Sequence, residues 1–148
     1  MRDFEKICPI AVVQAAPVMF DAAACAEKAA RLIDEAAGNG AKLIVFPELF
    51  IPGYPYGLTF GFTVGHRDER MRPDWARYAQ NSIVVPGAET RLLCERAKKW
   101  DVWVSIGVSE RDTVTGTLYN SNLFITPEGE VHSCHRKLKP TGAERVVW

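Results

Sequence analysis

Glu48 is the first residue whose type and position could do chemistry, because it directly follows the apolar segment LIVF and Pro47. The segment predicts a buried strand, which would put Glu48 at the carboxyl end of that strand, the edge where α/β sheets bind ligands. Partial desolvation there raises the pKa of a carboxylate and suits it to act as a general base. A salt-bridged or solvated loop glutamate fits the same position.

A basic cluster, HRKLKPT at residues 135–141, is the second candidate. Side chains such as Lys137, placed just after a strand, could stabilise an anion or an oxyanion. A solvated basic turn is the alternative. Glu144 follows Lys137 by seven residues and could orient the lysine, although by itself it fits an ordinary exposed glutamate.

The four cysteines are scattered and form no C-x-x-C pair, which favours reduced thiols. They are Cys8, Cys25, Cys94 and Cys134. The first three are predicted to be small core residues. Cys134 lies between His132 and His135, but that spacing does not match a zinc knuckle and no second ligand pair accompanies it. The glycines follow no phosphate-binding spacing either.

The elements that must position these residues begin with a βαβ unit. An apolar run at 8–14 predicts a buried strand, and Asp21 suits the N-cap of a helix that ends near Gly38. A second short strand follows at 42–46.

The remaining chain predicts a long loop, two helices and three strands. The loop, over 53–72, is rich in Gly, Tyr, Phe and Pro, and long loops in compact domains are usually functional. Helices are predicted at 74–80 and 86–100, and strands at 102–108, 117–126 and 130–134. The layout is α/β, with helices covering a sheet.

Composition excludes several classes of protein. The chain has 148 residues, 47% of them hydrophobic, and a formal net charge of zero. One domain with an apolar core is expected, whereas nucleic-acid and membrane-surface partners favour a basic excess. No apolar run approaches the roughly 20 residues that span a bilayer. The start, MRDFEKICPIAVVQAAP, is a poor secretory signal, so a cytoplasmic location is predicted.

Five motifs in order carry a family resemblance. They are AVVQAAP (11–17), VFPELFIPGYPYG (45–57), IGVSERD (106–112), LYNSNLFITPEGE (118–130) and HRKLKPTGAERVVW (135–148). Together they resemble the nitrilase branch of the carbon–nitrogen hydrolase superfamily over nearly the whole chain. The resemblance implies an αββα sandwich, incomplete here, with residues 1–148 forming the N-terminal part of a single domain.

The resemblance also implies a Cys-Glu-Lys arrangement. Glu48 matches the catalytic glutamate, Lys137 the catalytic lysine and Glu144 a second glutamate of many members. Tyr54 would line the substrate pocket, and a packed loop aromatic fits the same position. Glu110 and Asn120 recur in the pattern and are given structural roles, as hydrogen-bonding residues that hold strand ends.

The nucleophilic cysteine of this family follows the lysine block, and the sequence ends before that point. Cys134 precedes Lys137 and therefore does not match the position of the nucleophilic cysteine. We therefore expect a fragment that is inactive alone.

The activity implied by the resemblance is hydrolysis of an organic nitrile to a carboxylic acid and ammonia through a cysteine thioimidate, with no metal or organic cofactor. The partner would be a small nitrile, not nucleic acid or membrane, and the full-length protein would form homo-oligomers. The alternatives are an amidase or carbamoylase, a cyanide-converting relative, or a non-catalytic truncated product.

Overall fold

The sheet has five strands in the order β1-β2-β3-β4-β5. A computed structural model of the chain describes residues 7–63, 65–66 and 69–148. The strands are β1 (Ile10–Val12), β2 (Leu43–Val45), β3 (Trp103–Arg111), β4 (Leu118–Ile125) and β5 (Val131–Arg136). The first three run parallel, whereas β4 is antiparallel to both of its neighbours. As a result β5 runs in the same direction as β2, and the two strands end at the same edge of the sheet.

The described ranges contain three α-helices, α1 (Ala22–Gly38), α2 (Arg72–Gln80) and α3 (Ala88–Trp100), and two short 3-10 helices, Glu69–Met71 and Gly142–Val146. Asp21 caps α1 as predicted, since its carboxylate accepts a hydrogen bond from the Ala24 backbone at 2.9 Å. No helix in these ranges combines the length and the apolar composition that a bilayer crossing requires. The α/β class predicted from the sequence is confirmed. The loop predicted over 53–72 contains residues 64, 67 and 68, which lie outside the described residues.

The main core lies between the sheet and the helices α1 and α3. Its fully buried side chains include Cys25, Ala29, Ile33, Ile44, Leu93, Ala97, Val104, Ile106, Leu123 and Ile125. Side chains alternate across a strand, so Val104 and Ile106 face the helices while Ser105 and Gly107 face the other side. The polar residues of the site can therefore share one face of a sheet whose opposite face is packed.

The prediction of a buried strand at 8–14 was wrong for one face of β1. Ala11 packs against the core, but Ile10 and Val12 are 57% and 77% exposed. The reason is positional, because β1 is one of the two edge strands and, among the described residues, the core packs against the face that carries Ala11. Cys8, predicted to be buried, is exposed for the same reason.

A second, smaller core joins the end of the described chain to the start of β4. It contains Phe60, Tyr78, Leu118 and Val147, with Trp148 packed against it. This cluster fixes the 3-10 helix Gly142–Val146, and with it Glu144, above the sheet edge where β2 and β5 end.

Candidate active site

Glu48 lies on a bulge that follows β2. The Phe46 amide donates to the Ser105 carbonyl at 2.8 Å and the Ile51 amide to the Gly107 carbonyl at 3.3 Å, so the chain follows β3 on both sides of Glu48. Between these bonds Leu49 adopts a left-handed conformation (φ 49°). A Cβ on Gly107 would lie 2.7 Å from the Glu48 Cα. Glycine at 107 is therefore required for this bulge to lie against β3.

Lys137 is the first residue after β5, which is longer than predicted and ends at Arg136. Its amide donates to the Asn120 carbonyl at 2.7 Å. Its ammonium lies 2.8 Å from Glu48 Oε1, a residue 89 positions away in the sequence. It also lies 3.0 Å from Glu144 Oε2. The fold thus brings the predicted base, lysine and second glutamate together.

Glu144 is 7% exposed, so it is not the ordinary exposed glutamate that its position alone would also fit. Its carboxylate accepts hydrogen bonds of 2.6 Å from the Thr141 amide and from the Tyr54 hydroxyl. Tyr54 in turn packs edge-on against Trp148, with ring centroids 6.0 Å apart. The burial comes from the 3-10 turn and the aromatic side chains around it, which the local sequence does not specify.

These contacts set the charges of the cluster. The hydrogen bond to Glu48 raises the pKa of Lys137, and Glu144 adds to the increase against the lowering by burial. Burial alone would raise the pKa of Glu144, but hydrogen bonds from Thr141, Tyr54 and Lys137 outweigh it and lower the pKa to about 2. The bond to Glu144, followed by burial, raises the pKa of Tyr54 to about 12. At neutral pH the cluster holds an ammonium, an anionic Glu144 and a neutral phenol.

Two cavities adjoin this cluster. A cleft of about 500 Å³ is lined by Glu48, Asn120, His135 and Lys137 among others. A cavity of about 240 Å³ is lined by Tyr54, Glu144 and Trp148 together with the 54–59 segment. Tyr54, predicted to line a substrate pocket, lines this second cavity and contacts Glu144. The half-buried Glu48, with 47% of its side chain exposed, opens to the first one.

Glu110 holds strands together, as the sequence predicts. Its carboxylate accepts from Arg136 Nη2 at 2.6 Å and Nε at 3.0 Å, and from the Ser121 hydroxyl at 2.5 Å. These bonds join β3, β4 and β5, and so fix the end of β5 from which Lys137 projects.

Asn120 has a different place from the one predicted. Its side-chain amide donates to Glu48 Oε1 at 2.6 Å, so it contacts the candidate base directly. Sequence reasoning assigned it to the scaffold. Its place follows from strand register, which local sequence patterns do not determine. Asn120 pairs with Ser109 and projects from the same face as Gly107, beneath the Glu48 bulge.

Cys134 is separated from the cleft by the sheet. It pairs with the core residue Leu123 and its thiol lies 3.4 Å from Glu110, on the face opposite Asn120. Among the described residues, no hydrogen bond joins any cysteine to Glu48 or Lys137.

Relatives of known sequence match the sequence of this chain over most of its length. Residues 9–148 match the carbon–nitrogen hydrolase family. An aliphatic nitrilase from Sinorhizobium fredii (strain HH103) is 49% identical over 138 residues, which are 93% of this chain and 44% of the relative. The bifunctional nitrilase/nitrile hydratase NIT4B of Nicotiana tabacum is 44% identical over 137 residues, 93% of this chain and 39% of the relative. The chain spans less than half the length of these curated relatives.

Solved structures share the fold. Saccharomyces cerevisiae Nit3, a member of branch 10 of the nitrilase superfamily, has a TM-score of 0.67 at 23% identity and covers 89% of this chain and 44% of its own. Nesterenkonia AN1 amidase, also of that superfamily, has a TM-score of 0.66 at 17% identity and covers 95% of this chain and 47% of its own. Because the family match extends over nearly the whole sequence, this chain belongs to the carbon–nitrogen hydrolase family.

Proposed function

We propose that this chain is the N-terminal part of a single nitrilase domain and carries the glutamate and lysine that convert an organic nitrile and two waters to a carboxylic acid and ammonia. The observation that carries the proposal is the Lys137 ammonium, held between the carboxylates of Glu48 and Glu144 at the rim of an open cleft. The identity of 49% to an aliphatic nitrilase supports a nitrile as substrate.

The first half of the reaction needs a base and a cation. Glu48 takes the proton of a cysteine thiol, which is supplied by a segment outside these residues, because a protonated thiol is a poor nucleophile. The sulfur attacks the nitrile carbon, a π electron pair moves to nitrogen, and the proton that Glu48 took passes to that nitrogen. This gives a neutral thioimidate and leaves Glu48 ionised again. Lys137 stabilises the charge that develops during the attack.

The second half uses the same groups. Glu48 takes a proton from water as the water oxygen attacks the thioimidate carbon, and passes it to the nitrogen. The nitrogen then takes the proton of the added hydroxyl group as the C–N bond breaks, which releases ammonia and leaves a thioester. A second water cleaves the C–S bond in the same way, which yields the carboxylic acid and regenerates the thiol. Lys137, whose pKa is raised by its two carboxylate partners, remains a cation throughout.

Substitution into a relative tests this proposal. In what we call the chimera, this chain replaces the matching segment of the aliphatic nitrilase from Sinorhizobium fredii. We expect ammonia and carboxylic acid from a panel of aliphatic and aromatic nitriles. Hydrolysis of amides or N-carbamoyl compounds in preference to nitriles would instead establish the amidase or carbamoylase alternative, and a folded chimera that acts on neither would overturn the proposal. The unmodified relative serves as the control.

The ionised Glu144 should make stability depend on pH. Its folded-state pKa of about 2 lies below the ordinary value of 4.5. Its stabilising contribution is therefore present above about pH 4.5 and is lost as the pH falls toward 2. In the chimera, Glu144→Gln should lower the melting temperature at neutral pH, and the difference from the parent should shrink between about pH 4.5 and pH 3.

The matched control for this experiment is Glu128→Gln, a glutamate in the exposed turn between β4 and β5. Its melting temperature should follow that of the parent at every pH. A Glu144→Gln difference that stays constant with pH would show that the carboxylate charge is not what stabilises the cluster.

A further inference from the structure

Asn120 contacts both candidate catalytic residues. Its side-chain amide donates to Glu48 Oε1 at 2.6 Å, and its backbone carbonyl accepts from the Lys137 amide at 2.7 Å. Resting on the function proposed above, we propose that Asn120 is a positioning residue that orients Glu48 for proton transfer and holds it in register with Lys137.

The position of Asn120 suits this role. It is 6% exposed and lies on β4, which is paired on one side with β3 and on the other with β5. Glu48, by contrast, has 47% of its side chain exposed and stands on a bulge. A carboxylate that is half exposed to solvent samples several rotamers. A hydrogen bond from a rigid strand restricts the Glu48 side chain to the rotamer that lies next to the cleft.

The choice of oxygen is informative. Asn120 and Lys137 both donate to Oε1 of Glu48, at 2.6 Å and 2.8 Å. Among the described residues both of these donors bind Oε1, which leaves Oε2 as the carboxylate oxygen that accepts a proton from a nucleophile or a water. Asn120, together with Lys137, thus favours Oε2 as the base.

A purely structural role for the side chain does not account for these bonds. The backbone carbonyl of Asn120 already ties β4 to Lys137, whereas the side-chain amide bonds to a residue on a loop. Glu110 provides the contrast, because its bonds join β3, β4 and β5 without contacting Glu48.

The test uses Asn120→Ala and the isosteric Asn120→Asp in the chimera. Both remove the neutral donor, and the aspartate keeps the shape if alanine disturbs folding. We expect kcat for nitrile hydrolysis to fall by about tenfold to a hundredfold, the usual scale for such supporting groups, with KM within a few-fold of the parent. A loss confined to kcat identifies positioning of the base, since loss of substrate binding would raise KM instead.

Glu110→Gln is the matched structural control, since it loosens the same strands and should lower the melting temperature while kcat stays within a few-fold of the parent. A second measurement does not depend on turnover. The carbon-13 chemical shift of the Glu48 carboxylate at neutral pH, assigned by its absence in Glu48→Gln, should change in Asn120→Ala, because the carboxylate loses a hydrogen bond, and should stay the same in Glu110→Gln. A chimera that hydrolyses no nitrile but shows this change would refute the proposed function and leave the positioning role supported. An active chimera in which both the chemical shift and kcat match the parent would overturn the role of Asn120.

Discussion

Replacing Lys137 by alanine, or Glu48 by glutamine, should lower kcat for nitrile hydrolysis in the chimera by at least about a hundredfold, the scale usual for a general base or a charge-stabilising group. Glu48→Gln keeps the shape and the bond from Asn120 but cannot accept a proton. Lys137→Ala removes the cation that lies 2.8 Å from Glu48 and 3.0 Å from Glu144. It also leaves the carboxylates of Glu48 and Glu144 without the cation that both of them contact.

The matched control is Lys139→Ala, a lysine in the same cluster that is exposed and two residues further along the chain. It should retain turnover close to that of the parent. Steady-state kinetics on purified chimeras of equal melting temperature make the comparison. Activity within a few-fold of the parent in Glu48→Gln or Lys137→Ala would show that the wrong residue carries the assigned role.

The second large effect concerns the 148-residue chain alone, which should release no ammonia from any nitrile. Glu48 and Lys137 are in contact, but no thiol reaches them. Cys134 bonds to Glu110 on the opposite face of the sheet, and Cys25 lies in the core at 0% exposure. Without a thiol beside the base and the cation, water is the nucleophile that must attack the nitrile carbon, and this attack is very slow.

The same chain should also associate. The edge strand β1 presents Ile10 and Val12, which are 57% and 77% exposed, and exposed strand edges and apolar patches drive association. Size-exclusion chromatography together with an ammonia assay tests both expectations. Supplying the remaining segment of the Sinorhizobium fredii relative, covalently or in trans, should restore solubility and turnover. A monomer that hydrolyses a nitrile by itself would overturn both expectations and would make Cys134 the first thiol to test.

Which elements form was predictable from the sequence, because it depends on short-range patterns. Alternation marks β3, helical spacing behind Asp21 marks α1, and Pro127 with Gly129 marks the turn before β5. The family was also readable, since the five motifs keep their order along the chain, whereas the catalytic roles of Glu48 and Lys137 stay a prediction. The bounds of β5 were less accurate, because strand ends depend on pairing with a neighbour.

The tertiary structure decided how the site is built. Glu48 and Lys137 are 89 positions apart in the sequence. They meet because the chain reverses direction twice between β3 and β5, so that β5 runs parallel to β2 and ends at the same edge of the sheet. Glu144 is buried rather than exposed because Tyr54 and Thr141 bond to it from elements with no periodic signal. The pairing register of β4 with β3 and β5 placed the side-chain amide of Asn120 beneath Glu48 and the thiol of Cys134 on the opposite face of the sheet. A shift of one residue in that pairing exchanges the two faces of a strand, and local sequence preferences, which are the same in either register, do not determine which pairing is adopted.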